Sequence, residues 1–167
     1  MIANLDTERS RLTYAFLFER FAVTVKQWIE HAPGGDERGA RVEIQRLEAH
    51  PTGSQYATVP LALTEPVWRA DLFTLISGAP GNFDSAHYHP HFDGLEPSER
   101  YWADDLPGDP VAWLSTQLTD HLDALLLAGG AQDLAGGPEA DDVRAAVPDI
   151  LDRVRRCMSP TPLSSPE

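Results

Sequence analysis

Three of the chain's six histidines fall at alternate positions within the stretch GNFDSAHYHPHFDGLE, residues 81–96. In an extended segment successive side chains point to opposite sides, so His87, His89 and His91 would project from one face of a strand. Neutral imidazole is the commonest side-chain ligand of zinc and also suits iron, nickel and copper, so these three can fill three corners of a coordination sphere. Asp93 is well placed in sequence to add a carboxylate, with Asp84 and Glu96 as neighbouring alternatives. The spacing therefore predicts a site of His87, His89, His91 and Asp93 for zinc or another divalent transition metal. The competing expectation is a polar strand face whose imidazoles pack on their neighbours or bond backbone groups. Catalysis would further require an open coordination position and a positioned acid or base, for which Glu96 and Glu99 are the nearby candidates. The pattern does not specify a reaction.

Taken with its leading glycine, the series Gly81, five residues, His87, one residue, His89, three residues, Asp93 resembles the first metal-binding motif of the cupin family, in which a glutamate usually holds the last place. The resemblance covers thirteen residues and implies that His87, His89 and Asp93 ligate a divalent metal. A cupin continues with more strands and a second motif bearing another histidine, whereas this chain continues into helical patterning. Other templates of chemistry are absent from the sequence: it has no glycine-rich phosphate loop, no serine nucleophile elbow and no helical histidine pair flanking a glutamate. The single cysteine, Cys157, excludes an intramolecular disulfide and a cysteine-built zinc knuckle. Its expected role is a small apolar residue near a helix end.

The formal charge of −13 repels phosphate backbones, and the basic residues cluster only at Arg153, Arg155 and Arg156, so nucleic acid is not an expected partner. An acidic chain of this size can instead cap a basic protein partner, because complementary charge speeds encounter and sets specificity. The alternative to a metal protein is thus a non-catalytic interaction or immunity-type module, and self-association as a homodimer is a further expectation. No apolar run approaches the roughly 18 residues of a membrane span and the N-terminal residues lack a signal-peptide pattern, which leads to the expectation of a cytoplasmic protein.

The elements that must position the histidines can be read in order. Tyr14 to Ile29 fits a helix through Tyr14, Leu17, Phe18, Phe21, Val25, Trp28 and Ile29, and a strand through Phe21, Val23, Val25 and Ile29. The β-branched run Val23-Thr24-Val25, the turn residues from Ala32 to Asp36 and the alternation from Arg41 to Leu47 favour a β-hairpin with a long loop. Pro60 and Pro66 place Tyr56 to Leu63 at a sheet edge or in a crossing loop. Val67 to Ser77 alternates, with Arg69, Asp71 and Phe73 on one face, where Arg69 and Asp71 form either an ion pair orienting something in the site or a solvated edge pair. After the turn Gly78 to Gly81 the histidine strand should close an antiparallel meander beside Val67 to Ser77, and Pro90 makes it an edge strand or breaks it. Tyr101 and Trp102 are expected to fold back over the sheet.

Asp109 and Pro110 open a helix whose stripe of Val111, Leu114, Leu118, Leu122, Leu125 and Leu126 should sit on Val42, Ile44, Phe73 and Leu75 until Gly129-Gly130 ends it. His121, beside the stripe, is expected to pack or cap. Glu139 to Cys157 is helical too, with Pro148 dividing it into two short helices. The sequence therefore predicts one α+β domain over 1–158, an antiparallel β-meander of about four strands followed by two or three C-terminal helices packing on one face, and a disordered tail over 159–167.

Overall fold

A computed structural model describes residues 12–159. A meander is what short connections between successive strands produce, and the strands β1 (Thr13–Leu17), β2 (Phe21–Ala32), β3 (Gly35–Ala49), β4 (Leu61–Leu75) and β5 (His87–His89) pair in that order, all antiparallel. Val23 faces Ile44 and Val25 faces Val42 across β2 and β3, as the alternation requires. A two-residue hairpin of β6 (Phe92–Asp93) and β7 (Glu96–Pro97) follows. The helices α1 (Pro110–Asp120), α2 (Leu122–Ala128) and α3 (Glu139–Met158) complete the α+β architecture. Among the described residues no helix is long and apolar enough to cross a membrane.

Several local expectations are corrected. Tyr14 to Leu17 forms a strand of its own, because the chain turns at Phe18 to Arg20 and Phe16 pairs back onto Val23, giving five strands in the main sheet. The β2–β3 loop is short, since pairing persists to Ala32 opposite Gly35. Leu61 to Pro66 begins the long strand β4 and, as expected, lies at a sheet edge there, since it pairs with β3 alone and β5 joins only at Arg69 to Asp71; Pro66 is accommodated opposite a register shift at Gln45, where the ladder is already interrupted. α3 runs unbroken through Pro148, whose side chain is exposed; the carbonyl freed by the missing donor lies on the water side at Arg144, and the opposite stripe of Val143, Val147, Ile150, Leu151 and Val154 is held in the core. Residues 1–11 and 160–167, including nearly all of the tail expected to be disordered, lie outside the described residues.

One face of the sheet carries Val23, Val25, Ala40, Val42, Ile44, Trp68, Ala70 and Leu72, all within a single apolar core with the helices. α3 lies along β2 and β3, α2 reaches β4 and α1 rests chiefly on α3. The stripe residues Leu114, Leu118, Leu122, Leu125 and Leu126 are buried as expected. Their predicted floor is correct for Val42 and Ile44 only: strand alternation sends Phe73 to the opposite face, against His87, and Leu75 is partly exposed near the strand end. At the end of α2 the approach to β4 is close enough that a Cβ on Gly129 would lie 2.5 Å from the Val67 carbonyl oxygen.

Helices and sheet are also clamped ionically. Arg20, in the β1–β2 turn, forms a fork with Glu139 at 2.6 and 2.8 Å and donates to the Asp133 carbonyl oxygen at 2.7 Å. Arg46 on β3 holds both Asp133 carboxylate oxygens at 2.7 and 2.8 Å, which lowers that carboxyl to about 2. A depressed folded pKa means that the stabilisation is present above the unfolded value of about 4 and fades as pH falls through the folded one. Arg46→Gln should therefore lower the urea midpoint at neutral pH, and the gap to wild type should shrink between about pH 4 and pH 2. A gap of constant size across that window would show that the Arg46–Asp133 pair contributes nothing to stability.

Candidate metal centre

The sheet face turned away from the helices is polar, and its registers place its side chains in two rows. Lys26, Arg41, Asp71 and His87 lie side by side across β2 to β5, and Thr24, Glu43, Arg69 and His89 form the adjacent row. This face is nevertheless largely closed to water: Arg41, Glu37, Glu43, Asp71, His87 and His89 are all buried. The chain after β5 supplies the cover. Phe92 lies beneath the Arg69 guanidinium at 5.1 Å, Arg100 pairs with Glu37 at 3.0 Å, and the half-exposed Trp102 ring is 5.5 Å from His87. Tyr101 exchanges backbone hydrogen bonds with Tyr88 at 2.8 and 3.0 Å, so the aromatic return expected from the sequence also caps the edge of β5.

Among the described residues, ligating atoms of Asp71, His87 and His89 converge so that all lie within 4.8 Å of one another, and this group could hold a metal ion. Its electrostatics are set by the backbone. His87 Nδ1 is 2.8 Å from the Ser85 carbonyl oxygen and His89 Nδ1 is 2.6 Å from that of Ser98. A carbonyl can only accept, so both Nδ1 atoms are donors and each neutral ring presents its lone pair at Nε2. Those two atoms meet Asp71 Oδ2 at 3.3 and 3.4 Å. The His87 contact is not aligned as a hydrogen bond, and His87 Nε2 is a buried nitrogen without a hydrogen-bond partner among the described residues.

Asp71 is held in turn by Arg41, whose Nε donates to Oδ1 at 2.7 Å and Nη2 to Oδ2 at 3.2 Å. Arg41 itself is fixed with its guanidinium 4.1 Å above the Trp28 ring and 5.7 Å from that of Phe73. Burial would raise the Asp71 carboxyl, but any proton carried on His87 or His89 Nε2, together with the charge and hydrogen bonds of Arg41, outweighs it and holds that carboxyl well below its usual range. Asp71 is thus an anion in a water-poor setting, a proper partner for a cation. Gly39 makes room for this packing: a Cβ there would meet the Leu72 carbonyl oxygen on the neighbouring strand.

Of the residues singled out by spacing, His87 and His89 are brought together, while His91 and Asp93 are exposed. β5 ends at His89, immediately before Pro90, so the alternation does not extend to His91. Asp93 lies in β6 and pairs with Glu96 in the small hairpin. Asp84 is in the exposed loop before β5, its amide bonded to Asn82 Oδ1 at 2.8 Å. The carboxylate that does converge, Asp71, comes from the neighbouring strand. Arg69 and Asp71 share a face as predicted, yet each pairs across strands, Arg69 with Glu43 at 3.5 Å and Asp71 with Arg41 at 2.7 Å. Cys157 is buried in α3, which pushes its thiol up to about 11. His121 caps no helix through its side chain and borders a groove of about 450 Å³ with Trp113, Tyr88 and Asp105 on the helix side. Comparison with family models, with curated proteins and with solved structures finds no match for the chain.

Proposed function

We propose that the chain binds one divalent transition metal ion, zinc or ferrous iron, through Asp71, His87 Nε2 and His89 Nε2. The observation that carries this reading is the pair of imidazoles locked by backbone carbonyls so that two lone pairs face one carboxylate oxygen at 3.3 and 3.4 Å. Left as they stand, these acceptors repel one another. Protons on both rings would surround a single carboxylate with three cations, counting Arg41, whereas one metal ion satisfies all the acceptors together. The two spacings between Asp71 and the imidazoles fit as well. Tetrahedral zinc with bonds of about 2.0–2.1 Å separates its ligand atoms by about 3.3 Å.

Two imidazoles and a carboxylate also form the facial set used by ferrous iron, and with either metal they leave at least one position for water or an external ligand. The Ser85 and Ser98 carbonyls fix the ring tautomers, and Arg41 orients the carboxylate, which are the supports that tune a metal site from outside its ligand shell. The chain purified without a histidine tag and exposed to Zn²⁺, then dialysed, should retain a stoichiometric amount of zinc by elemental analysis. The His87→Ala/His89→Ala double variant should retain none while keeping its far-ultraviolet circular dichroism. Folded wild-type protein that leaves dialysis free of metal would remove the basis of the proposal.

A further inference from the structure

Resting on that metal reading, we infer that the centre takes a small oxyanion of the carboxylate type as its external ligand, received by Arg69. Arg69 is the direct cross-strand partner of His89, and strand alternation puts it on the same face as Asp71 and His87. Its guanidinium is less well satisfied than that of Arg41. Nη2 reaches Glu43 Oε2 only at 3.5 Å, its plane lies 5.1 Å from the Phe92 ring, and its Nε–H is buried with no acceptor among the described residues. A buried donor left without an acceptor is costly, and an arginine guanidinium makes strong charge-assisted hydrogen bonds to a carboxylate oxygen.

Charge points the same way. On this face Lys26, Arg41, Arg69 and Arg100 are paired with Glu30, Glu37, Glu43 and Asp71, so with neutral imidazoles the described ions balance. A divalent ion adds positive charge to a poorly solvated region, where uncompensated charge is strongly disfavoured. Three protein ligands leave an open coordination position. An oxyanion with one oxygen on the metal and another accepting from Arg69 would fill that position, supply the missing acceptor and offset the added charge.

The full chain loaded with Co²⁺ provides a visible-absorption reading of the coordination sphere. Sodium acetate, titrated at constant ionic strength against sodium perchlorate, should change the cobalt bands saturably, and acetamide should not. Arg69→Gln should weaken acetate binding by about tenfold or more while Co²⁺ affinity stays within about threefold, since only the anion's charge-assisted hydrogen bonds are lost. Arg69→Lys, which keeps the charge and loses the fork, should fall between the two, and it carries the test if the glutamine variant does not fold. Bands indifferent to acetate, or an unchanged acetate affinity in both variants, would overturn the anion site and leave the metal reading intact. A chain that binds no Co²⁺ would overturn both.

Discussion

Asp71→Ala is expected to destabilise the metal-free protein by about 3–5 kcal/mol, the cost of removing one member of a buried ion pair and leaving the other charged. Asp71 is fully buried and accepts both close contacts from Arg41, which is itself only 7% exposed and has no comparable second partner among the described residues; its distance to Glu30 is 3.8 Å. Deleting the carboxylate thus strands a guanidinium between Trp28 and Phe73. The penalty belongs to Arg41, so the double change Arg41→Met/Asp71→Leu should recover most of it, because well-packed apolar residues often replace a buried pair with little loss. Urea denaturation in the presence of a chelator measures both. A single variant within about 1 kcal/mol of wild type would place the Arg41–Asp71 pair in effective contact with water.

On the opposite face, Trp68→Ala should cost about 3–5 kcal/mol, the usual range for truncating a large buried aromatic. Trp68 is completely buried in the middle of β4, next to Ile44 across the ladder and stacked on Trp113 of α1 at 6.1 Å between ring centroids. It joins the sheet to the helical layer through this stacking on Trp113. Trp68→Phe should lose much less. It keeps a ring against Trp113 and removes an indole N–H that is buried without a partner among the described residues, so part of the lost packing is offset. Equal losses in the two variants, measured by urea midpoint, would show that the indole's full size or its N–H has a role this packing does not explain.

The parts of the architecture visible in the sequence were those set by strand alternation and turn residues. Val23, Val25, Val42 and Ile44 found their partners because their spacing leaves one face to bury, and His87 lies beside Asp71 because the Gly78 to Gly81 turn sends the chain back along β4. The same alternation put His87 and His89 on one side. What the spacing could not convey was distance across strands. Asp71 precedes His87 by 16 positions and His89 by 18 in sequence and opposes them only through a register that depends on the whole sheet. A signal was nevertheless present, since a carboxylate between Ala70 and Leu72, with Phe73 next on its face, sits in a strand too apolar to be solvated. His91 falls outside the strand row because Pro90 ends the ladder, and β1 is not legible because Tyr14 to Ile29 satisfies helix and strand periods alike until tertiary pairing chooses between them. Pro148 misled in the other direction: burial of one stripe of α3 outweighs the loss of one exposed hydrogen bond.

The polar face is therefore more than a solvated back to the sheet. Its ions are arranged from the outside inward, with Lys26, Arg100 and Glu30 partly exposed, Arg41 and Glu43 beneath them, and Asp71 with the two imidazoles at the innermost position. X-ray absorption at the zinc edge of the stoichiometrically loaded wild-type chain tests this centre most directly. The arrangement predicts a first shell of nitrogen and oxygen at about 2.0–2.1 Å, with the outer-shell scattering of two imidazoles and no sulfur at about 2.3 Å. A shell of oxygens without imidazole scattering, or a sulfur contributed by Cys157, would contradict it.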